Sequence, residues 1–249
     1  MPSFSDHFST VARDYAAFRP DYPRALFAYL AGLARARELV WDCACGNGQA
    51  SVPLAEHFTG VIATDASAAQ IAAAAHHARV SYRVARAEES GLAAESADLV
   101  TVAQALHWFD LPRFYAEASR VLRRDAPLAV WTYTLLSIAP EIDPLLRHFH
   151  YDVVGSYWTP ERALVESGYR TLAFPFPELE SPAFEIEQHW SLPHLLGYVR
   201  SWSATARYRA ERGSDPVDAL ERELSPLWGE PARARRVSWP IVLRVGRRP

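Results

Sequence analysis

Lysine is absent from this sequence of 249 residues, and cysteine and methionine are scarce. All 26 basic residues are arginine, and 29 acidic residues outnumber them, so the formal net charge is −3. The arginines form no dense tract except at 233–236 and at the last few positions, and a nucleic acid as the main partner is therefore disfavoured. No run approaches the roughly 18 apolar residues that span a bilayer, and no leader segment is recognisable. We expect a cytoplasmic protein without a membrane partner.

The two cysteines, Cys43 and Cys45, are only two positions apart. A strain-free disulfide is not compatible with that separation, and no further cysteine or histidine pair completes a zinc site. His148 and His150 are also two apart and point to different faces of a presumed helix. The sequence therefore predicts no metal site, and it predicts that the cysteines are small packing residues.

The length and the 49% hydrophobic content suit one α/β domain with a sizeable core. Alternating patterns predict strands near 39–43, 60–65, 80–84, 98–104 and 126–133, and helices near 49–57, 67–77 and 112–123. Two amphipathic helices, 5–18 and 23–35, precede them, and β-rich segments follow at 184–191 and 237–246. We predict a doubly wound, mostly parallel sheet. The single domain 1–249 would comprise N-terminal helices (1–36), a cofactor-binding core (37–133), and cap segments (134–183 and 193–230) with the C-terminal strands (134–249).

The most informative segment for function is a strand that ends in an acidic residue and is followed by a loop of very small residues. Residues 39–41 have the apolar character of a buried parallel strand, and Asp42 and the small residues 44–48 follow. The two glycines of the loop can adopt positive φ at little cost, so a ligand can approach the main chain. A second apolar run ends at Asp65, 23 positions after Asp42. An acid at roughly that spacing suits the diol of a ribose.

Two classes of nucleotide cofactor fit such a loop. The pattern Asp42-x-Ala44-x-Gly46-x-Gly48 differs from the G-x-G-x-x-G of dinucleotide-binding proteins, and its acid stands where a pyrophosphate would be repelled. No arginine lies near the loop. An NAD(P)-dependent oxidoreductase is therefore the weaker alternative, and a non-catalytic module that has kept only the pocket is another.

These motifs resemble those of class I S-adenosylmethionine-dependent methyltransferases of the type 11-like group. The loop matches the acidic-x-Gly-x-Gly-x-Gly signature of the family, except that Ala44 replaces the first glycine. Further matches follow in the expected order at 65–67, 87–88 and 98–109. The resemblance covers about residues 35–133, and it implies a seven-stranded Rossmann-like sheet that the two late β-rich segments complete as an antiparallel hairpin.

The resemblance also implies the residues that bind S-adenosylmethionine. Asp42 and the loop backbone would face the methionine part of the cofactor, and Asp65 would hold the ribose hydroxyls. The loop positions are Ala44, Cys45, Gly46, Asn47 and Gly48. Ser67 would cap the following helix. The other implied contacts are Ala66 beside Asp65, Gln70, Ala87 and Glu88 around the adenine, and Gln104 and Ala105 beneath the sulfonium.

Three residues are candidates for catalysis: His107, Arg19 and Tyr15. His107 follows the fourth strand at the carboxyl edge of the sheet, and imidazole titrates near neutral pH, so it is a candidate base. The alternative is that it bonds a backbone group and shapes the floor of the cofactor site. The segment 15–23 resembles the lead-in of a subgroup that includes fungal trans-aconitate methyltransferase. Arg19 could clamp a carboxylate of cofactor or substrate, or pair with a neighbouring aspartate.

The remaining expectation concerns the methyl acceptor. Apolar pockets with few polar groups are typical of small-molecule sites, and aromatic residues are numerous enough to line one. The predicted pocket residues are Tyr22, Trp108, Trp131, Trp158 and Trp202. We therefore predict transfer of a methyl group to a small molecule, on a carboxylate or a hydroxyl, by a monomer or homodimer.

Overall fold

A seven-stranded sheet forms the centre of the computed structural model, which describes residues 20–249. The strands, in chain order, are β1 (Leu39–Cys43), β2 (Gly60–Asp65), β3 (Val80–Val84), β4 (Leu99–Ala103), β5 (Pro127–Tyr133), β6 (Phe184–Trp190) and β7 (Arg235–Arg247). Their order across the sheet is β3-β2-β1-β4-β5-β7-β6. The first five strands are parallel, and β7 pairs antiparallel with both β5 and β6. The predicted fold class is confirmed.

Helices cover the sheet and build the segments between the later strands. They are α1 (Arg24–Leu33), α2 (Ser51–Ala55), α3 (Ala68–Ala72), α4 (Leu111–Val121), α5 (Asp143–His148), α6 (Arg162–Glu166), α7 (Leu192–Arg200), α8 (Ser203–Arg212) and α9 (Val217–Trp228). Two 3₁₀ turns, Leu106–Trp108 and Gly155–Tyr157, and a π-helix, Phe149–Val153, complete them. The predicted helix 5–18 lies outside the described residues.

The central strands are nearly continuous apolar runs because they are buried on both faces. All seven residues of β5 are buried, for example. Successive residues of a strand point to opposite faces, and Val40 and Trp41 accordingly belong to two different buried clusters. Helix α1 packs into the first cluster and α4 into the second. The carboxyl ends of β1, β2 and β4 therefore meet at one edge of a rigid sheet.

Two helices are shorter than the sequence pattern predicts. The prediction of 49–57 corresponds to α2, and that of 67–77 corresponds to α3. Beyond Ala73 the chain leaves the helical ladder, because the N–H of Ala75 donates to the carbonyl of Asn47 at 3.1 Å. The Tyr82 hydroxyl donates to the carbonyl of Ala75 at 2.9 Å. Contacts with the small-residue loop and with β3 thus replace the last turn of α3.

Candidate cofactor and acceptor site

The small-residue loop follows β1 at the carboxyl edge of the sheet. Ala44, Gly46 and Gly48 have φ of +54°, +55° and +89°. The N–H of Cys45 donates to the carbonyl of Thr64 at 2.9 Å, which ties the loop to β2. Positive φ is uncommon for a residue with a Cβ, and such strain clusters at functional sites. Ala44 therefore adopts the conformation for which the family signature uses glycine.

Asp65 lies at the end of β2 and faces this loop. Its Oδ2 accepts the N–H of Gly46 at 2.9 Å, and its Oδ1 accepts the N–H of Ser67 at 2.8 Å. Ala66, between them, is half-buried. The Ser67 hydroxyl accepts the N–H of Gln70 and caps α3, as predicted. Gln70 Oε1 would lie 3.7 Å from a Cβ placed on Gly46, so this side chain is next to the loop.

Asp42 is completely buried beneath the loop. Its Oδ2 accepts the Ser51 hydroxyl at 2.5 Å, and its Oδ1 accepts the Thr101 hydroxyl at 2.8 Å. Burial raises the pKa of Asp42 to about 6, against the two hydroxyl bonds that lower it. Sequence reasoning missed both partners. Thr101 could have been found, because it is the β4 residue in register with Asp42 in the parallel pair.

Ala87 and Glu88 follow β3, where the resemblance expects contacts to adenine. Ala87 is buried. The Glu88 carboxylate accepts the N–H of Asp110 at 3.0 Å and forms an ion pair with Arg86 at 3.5 Å. Asp110 is the N-cap of α4. Glu88 thus joins the loop after β3 to the start of the helix that follows β4.

Gln104 and Ala105 come directly after β4, beside the small-residue loop. Gln104 has φ +56°, a second strained position at this edge of the sheet. Its Oε1 accepts the Thr132 hydroxyl at 2.6 Å, and its Nε2 donates to the carbonyl of Tyr133 at 3.3 Å. Ala105 is buried. The side chain of Gln104 is therefore turned toward β5.

His107 lies in the 3₁₀ turn after β4, and its Nδ1 is 2.9 Å from the hydroxyl of Tyr169. Burial, assisted by the positive charge of Arg162, lowers the pKa of His107 to about 4. The imidazole is therefore neutral near pH 7. Trp108 packs on the ring at 4.6 Å between centroids and is 40% exposed. Sequence reasoning missed Tyr169, which is 62 positions away.

The other aromatic residues of the predicted pocket form two pairs. Tyr22 contacts Trp131 edge to face at 5.6 Å, and Trp158 contacts Trp202 at 5.8 Å. Trp131 is completely buried in the core, and its indole N–H has no hydrogen-bond partner among residues 20–249. The catalytic candidates Tyr15 and Arg19 lie outside the described residues.

Comparisons with known proteins identify the family. Residues 41–130 match the family model described as "Methyltransferase domain". A Dictyostelium discoideum protein named as a methyltransferase is 34% identical over 89% of this chain and 86% of its own length. The chain belongs to the class I S-adenosylmethionine-dependent methyltransferases. The solved structure of a protein from Anaeromyxobacter dehalogenans, titled a type II methyltransferase, is 50% identical to this methyltransferase. It superposes with a TM-score of 0.89 over 92% of this chain and 98% of its own.

The name of a third relative includes its cofactor. A Saccharomyces cerevisiae protein named as an S-adenosylmethionine-dependent methyltransferase is 28% identical over 57% of this methyltransferase and 54% of its own length. S-adenosylmethionine is the cofactor of the present methyltransferase also. The residues fit this group: the loop is built of small residues, of which Ala44, Gly46 and Asn47 are partly exposed, and Asp65 presents an oriented carboxylate beside it. Because the chain belongs to this family, it is neither an NAD(P)-dependent oxidoreductase nor the non-catalytic cofactor-binding module considered above.

The methyltransferase also has a groove outside the predicted site. A groove of about 450 Å³ is lined by Leu111, Pro112, Tyr115, Ala116, Ser119, Ala173 and Pro175, and none of the predicted site residues in the described part of the chain lines it. Within residues 20–249, no three His, Cys, Asp or Glu side chains are grouped so that they could hold a metal ion. No helix in the same range has the length and apolar character needed to cross a membrane.

Proposed function

We propose that this methyltransferase methylates a small molecule on a carboxylate oxygen, with a hydroxyl as the second candidate. S-adenosylmethionine supplies, when bound, a methyl group on a sulfonium that is a good leaving group. The protein then has to align the acceptor and exclude water, and orientation alone can supply about 7–11 kcal/mol. The observation that carries the choice of a carboxylate is the burial of His107 beside the Tyr169 hydroxyl and the charge of Arg162, an environment that lowers its pKa to about 4 and makes it a weak base.

The family resemblance supplies the proposed cofactor residues, and the geometry of Asp65 supports its role. Asp65 would accept the ribose hydroxyls, because two backbone N–H groups orient its carboxylate. The loop backbone and Ala105 would line the methionine end, and Gln70 and Glu88 the adenine. We assign Asp42 a supporting role, in place of the predicted direct contact, because no part of it is exposed and both its oxygens accept hydroxyl groups.

A hydrogen bond holds the ring of His107 at its Nδ1 side. Nδ1 is 2.9 Å from the Tyr169 hydroxyl, and which of the two groups donates depends on the tautomer of the ring. Either tautomer leaves Nε2 for the acceptor molecule, as a hydrogen-bond acceptor in one case and as a donor in the other.

The strength of that base favours a carboxylate acceptor. A base whose conjugate acid has a pKa of about 4 takes a proton from an alcohol only weakly. A carboxylate is already anionic near neutral pH and needs positioning and partial desolvation. His107 would then orient the acceptor or accept a hydrogen bond from it, and proton removal would not limit the rate.

The enclosure of this edge of the sheet favours a small acceptor. Trp190 and Tyr198 pack on Trp239 of β7 at 4.9 and 5.7 Å, which anchors α7 to the sheet. Tyr198 in turn contacts Trp202, the partner of Trp158. A packed aromatic cap of this kind suits the exclusion of water. The trans-aconitate subgroup, the cytoplasmic location and the monomeric or homodimeric state stay predictions.

The chemical stability of the product tests the proposed function. Purified protein is incubated with S-adenosylmethionine labelled in its methyl group and with a panel of small carboxylic acids and matched alcohols. A methyl ester releases labelled methanol in alkali, whereas a methyl ether does not. We expect alkali-labile label on acids. Alkali-stable label on alcohols would favour the hydroxyl candidate, and an unlabelled panel would count against both, provided that S-adenosylhomocysteine still raises the melting temperature.

A further inference from the structure

The side chain of Tyr82 reaches from an edge strand of the sheet to the small-residue loop. Tyr82 lies in β3, and β2 separates β3 from β1. A Cβ built on Gly48 would overlap the Tyr82 hydroxyl and would lie 2.9 Å from Cζ of the ring. Real Cβ atoms do not come so close to other atoms, so the tyrosine packs directly on the backbone of the loop.

The same hydroxyl also holds the chain that follows α3. It donates to the carbonyl of Ala75 at 2.9 Å, and the N–H of Ala75 donates to the carbonyl of Asn47 at 3.1 Å. Residues 74–77 belong to no helix or strand, and Ala75 is exposed. Both backbone groups of Ala75 are therefore bonded, one to the tyrosine and the other to the loop.

These bonds complete a ring that surrounds the candidate cofactor site. On one side, the N–H of Gly46 donates to Asp65 Oδ2, and the N–H of Ser67 donates to Asp65 Oδ1. Ser67 caps α3, and after α3 the chain returns to the loop through the bond from Ala75 to Asn47. The loop and α3 are thus joined at two points, first at Asp65 and then at Asn47.

The two points serve different parts of the proposed cofactor site. The carboxylate of Asp65, assigned to the ribose, is oriented by two backbone N–H groups and makes no use of Tyr82 for them. Residues 47–48 belong to the loop backbone assigned to the methionine end, and Tyr82 supports them by contact with Gly48 and through Ala75. Removal of the hydroxyl should therefore disturb one end of the site and spare the other.

The hydroxyl of Tyr82 is a donor at neutral pH. Burial, with the charge of Asp42 as a further contribution, raises the pKa of Tyr82 to about 12. The phenol thus keeps its proton, and its bond to the carbonyl of Ala75 persists at any pH at which cofactor binding is measured.

We infer that Tyr82 is a positioning residue for the cofactor: its hydroxyl holds residues 47–48 in the shape that receives the methionine end, while Asp65 holds the ribose independently of it. This inference rests on the cofactor residues assigned under the proposed function, and it makes no use of the identity of the acceptor. The affinity gained from the methionine end then depends on a side chain of the edge strand.

Two ligands that differ only at the methionine end test the inference. S-adenosylhomocysteine carries this end, and 5′-methylthioadenosine has a methyl group in its place. Isothermal titration of the full chain gives both dissociation constants, by competition against S-adenosylhomocysteine where the second ligand is weak. We expect Tyr82→Phe to weaken S-adenosylhomocysteine by about 5-fold, as for the loss of one hydrogen bond, and 5′-methylthioadenosine by less than about 2-fold.

The ratio of the two constants separates positioning from stability. A variant that is only less stable has less folded protein for both ligands, so the ratio does not change. Tyr29→Phe is the matched control, because the Tyr29 hydroxyl also donates to a backbone carbonyl, that of Glu180 at 3.1 Å. Tyr29 packs on Phe184 of β6, at the opposite edge of the sheet, and its substitution should leave both constants unchanged. Asp65→Ala should weaken both ligands, because both contain the ribose.

An unchanged ratio in Tyr82→Phe would overturn the inference, and so would an equal change of the ratio in Tyr29→Phe. Unchanged binding of both ligands by Asp65→Ala would remove the assignment on which the inference rests. Methyl transfer to a carboxylate fails separately, because no acceptor takes part in these titrations. If the ratio changes as expected but no acid accepts labelled methyl, the choice of acceptor is wrong and the role of Tyr82 stands.

Discussion

Two aspartates at neighbouring strand ends have opposite environments. Asp65 is half-exposed and holds two backbone N–H groups, whereas Asp42 is buried and holds two hydroxyl groups. The sequence pattern placed both at the crevice, because both follow apolar strands. It could not distinguish the one that faces the loop from the one that supports it, since that depends on Ser51 and Thr101.

Substitution of Asp65 tests the cofactor assignment. Asp65→Ala should weaken the binding of S-adenosylhomocysteine by about 1.5–3 kcal/mol, because it removes charged hydrogen bonds to the ribose. Isothermal titration measures this, with Glu89→Ala, an exposed acid next to Glu88, as the control. Unchanged affinity in Asp65→Ala would remove Asp65 from the site.

Substitution of His107 separates orientation from proton transfer. On the carboxylate proposal, His107→Ala should lower kcat by less than the roughly 10²-fold that marks the loss of a general base, and kcat should be independent of pH between 6 and 8. The measurement is a pH profile of kcat for the protein and for Tyr169→Phe, which removes the hydroxyl at 2.9 Å from the ring. A loss above 10²-fold, with a basic limb in the profile, would favour a hydroxyl acceptor.

The helix cap at Ser67 and the positions of Asp65 and His107 could be predicted from the sequence, because each follows a strand end directly. Tyr169 could not. Tyr169 has φ +59°, which no local pattern for a bulky residue predicts, and its role depends on contact with a turn 62 positions earlier. The site therefore divides into a part encoded in local motifs and a part created by packing of the cap.

At the scale of elements, the loop after β1 is restrained by the strand two places away. A Cβ on Gly48 would overlap the hydroxyl of Tyr82 in β3, and φ at Gly48 is +89°. The same hydroxyl ends α3 early through its bond to Ala75. The helix predicted near 67–77 is present but ends early for this reason: apolar spacing alone does not reveal that a tyrosine from a strand later in the chain competes with the last turn.

Replacement of Gly48 tests this restraint. Gly48→Ala should reduce the free energy of unfolding by about 1–3 kcal/mol, because it adds both backbone strain and a steric overlap. Urea unfolding measures the change, and Gly48→Ala combined with Tyr82→Phe should recover part of it. Gly213→Ala is the control for backbone strain alone, since φ there is +69° and no atom lies within 4 Å of the added Cβ. Equal effects at both glycines would rule out a role for Tyr82.

At the scale of the whole molecule, two buried groups give opposite pH dependences of stability. Asp42 has a pKa of about 6 in the fold against an ordinary 3.8, so its contribution is complete below pH 3.8 and is lost as the pH rises to 6. His107 has a pKa of about 4 against an ordinary 6.5, so its contribution is complete above pH 6.5 and is lost as the pH falls to 4. Each is worth about 3 kcal/mol, and the two nearly cancel.

Single substitutions should uncover the two slopes. Relative to the unmodified protein, Asp42→Asn should gain stability as the pH rises from 4 to 6, and His107→Gln should lose stability over the same interval. The free energy of unfolding in urea, measured at intervals of half a pH unit, gives both curves. Parallel curves for all three proteins would show that neither group titrates across this window in the fold.

The sheet order has a consequence for how the chain assembles during its synthesis. Strand β6 lies at the edge, and its neighbour in the sheet is β7, which follows it in the chain after helices α7, α8 and α9. A nascent chain that has reached α9 therefore carries β6 as an unpaired strand, whereas β1 to β5 can already pair with one another. β6 can pair only after β7 has been synthesised. The parallel strands β1 to β5 can therefore form first, and the antiparallel strands β6 and β7 join the sheet last.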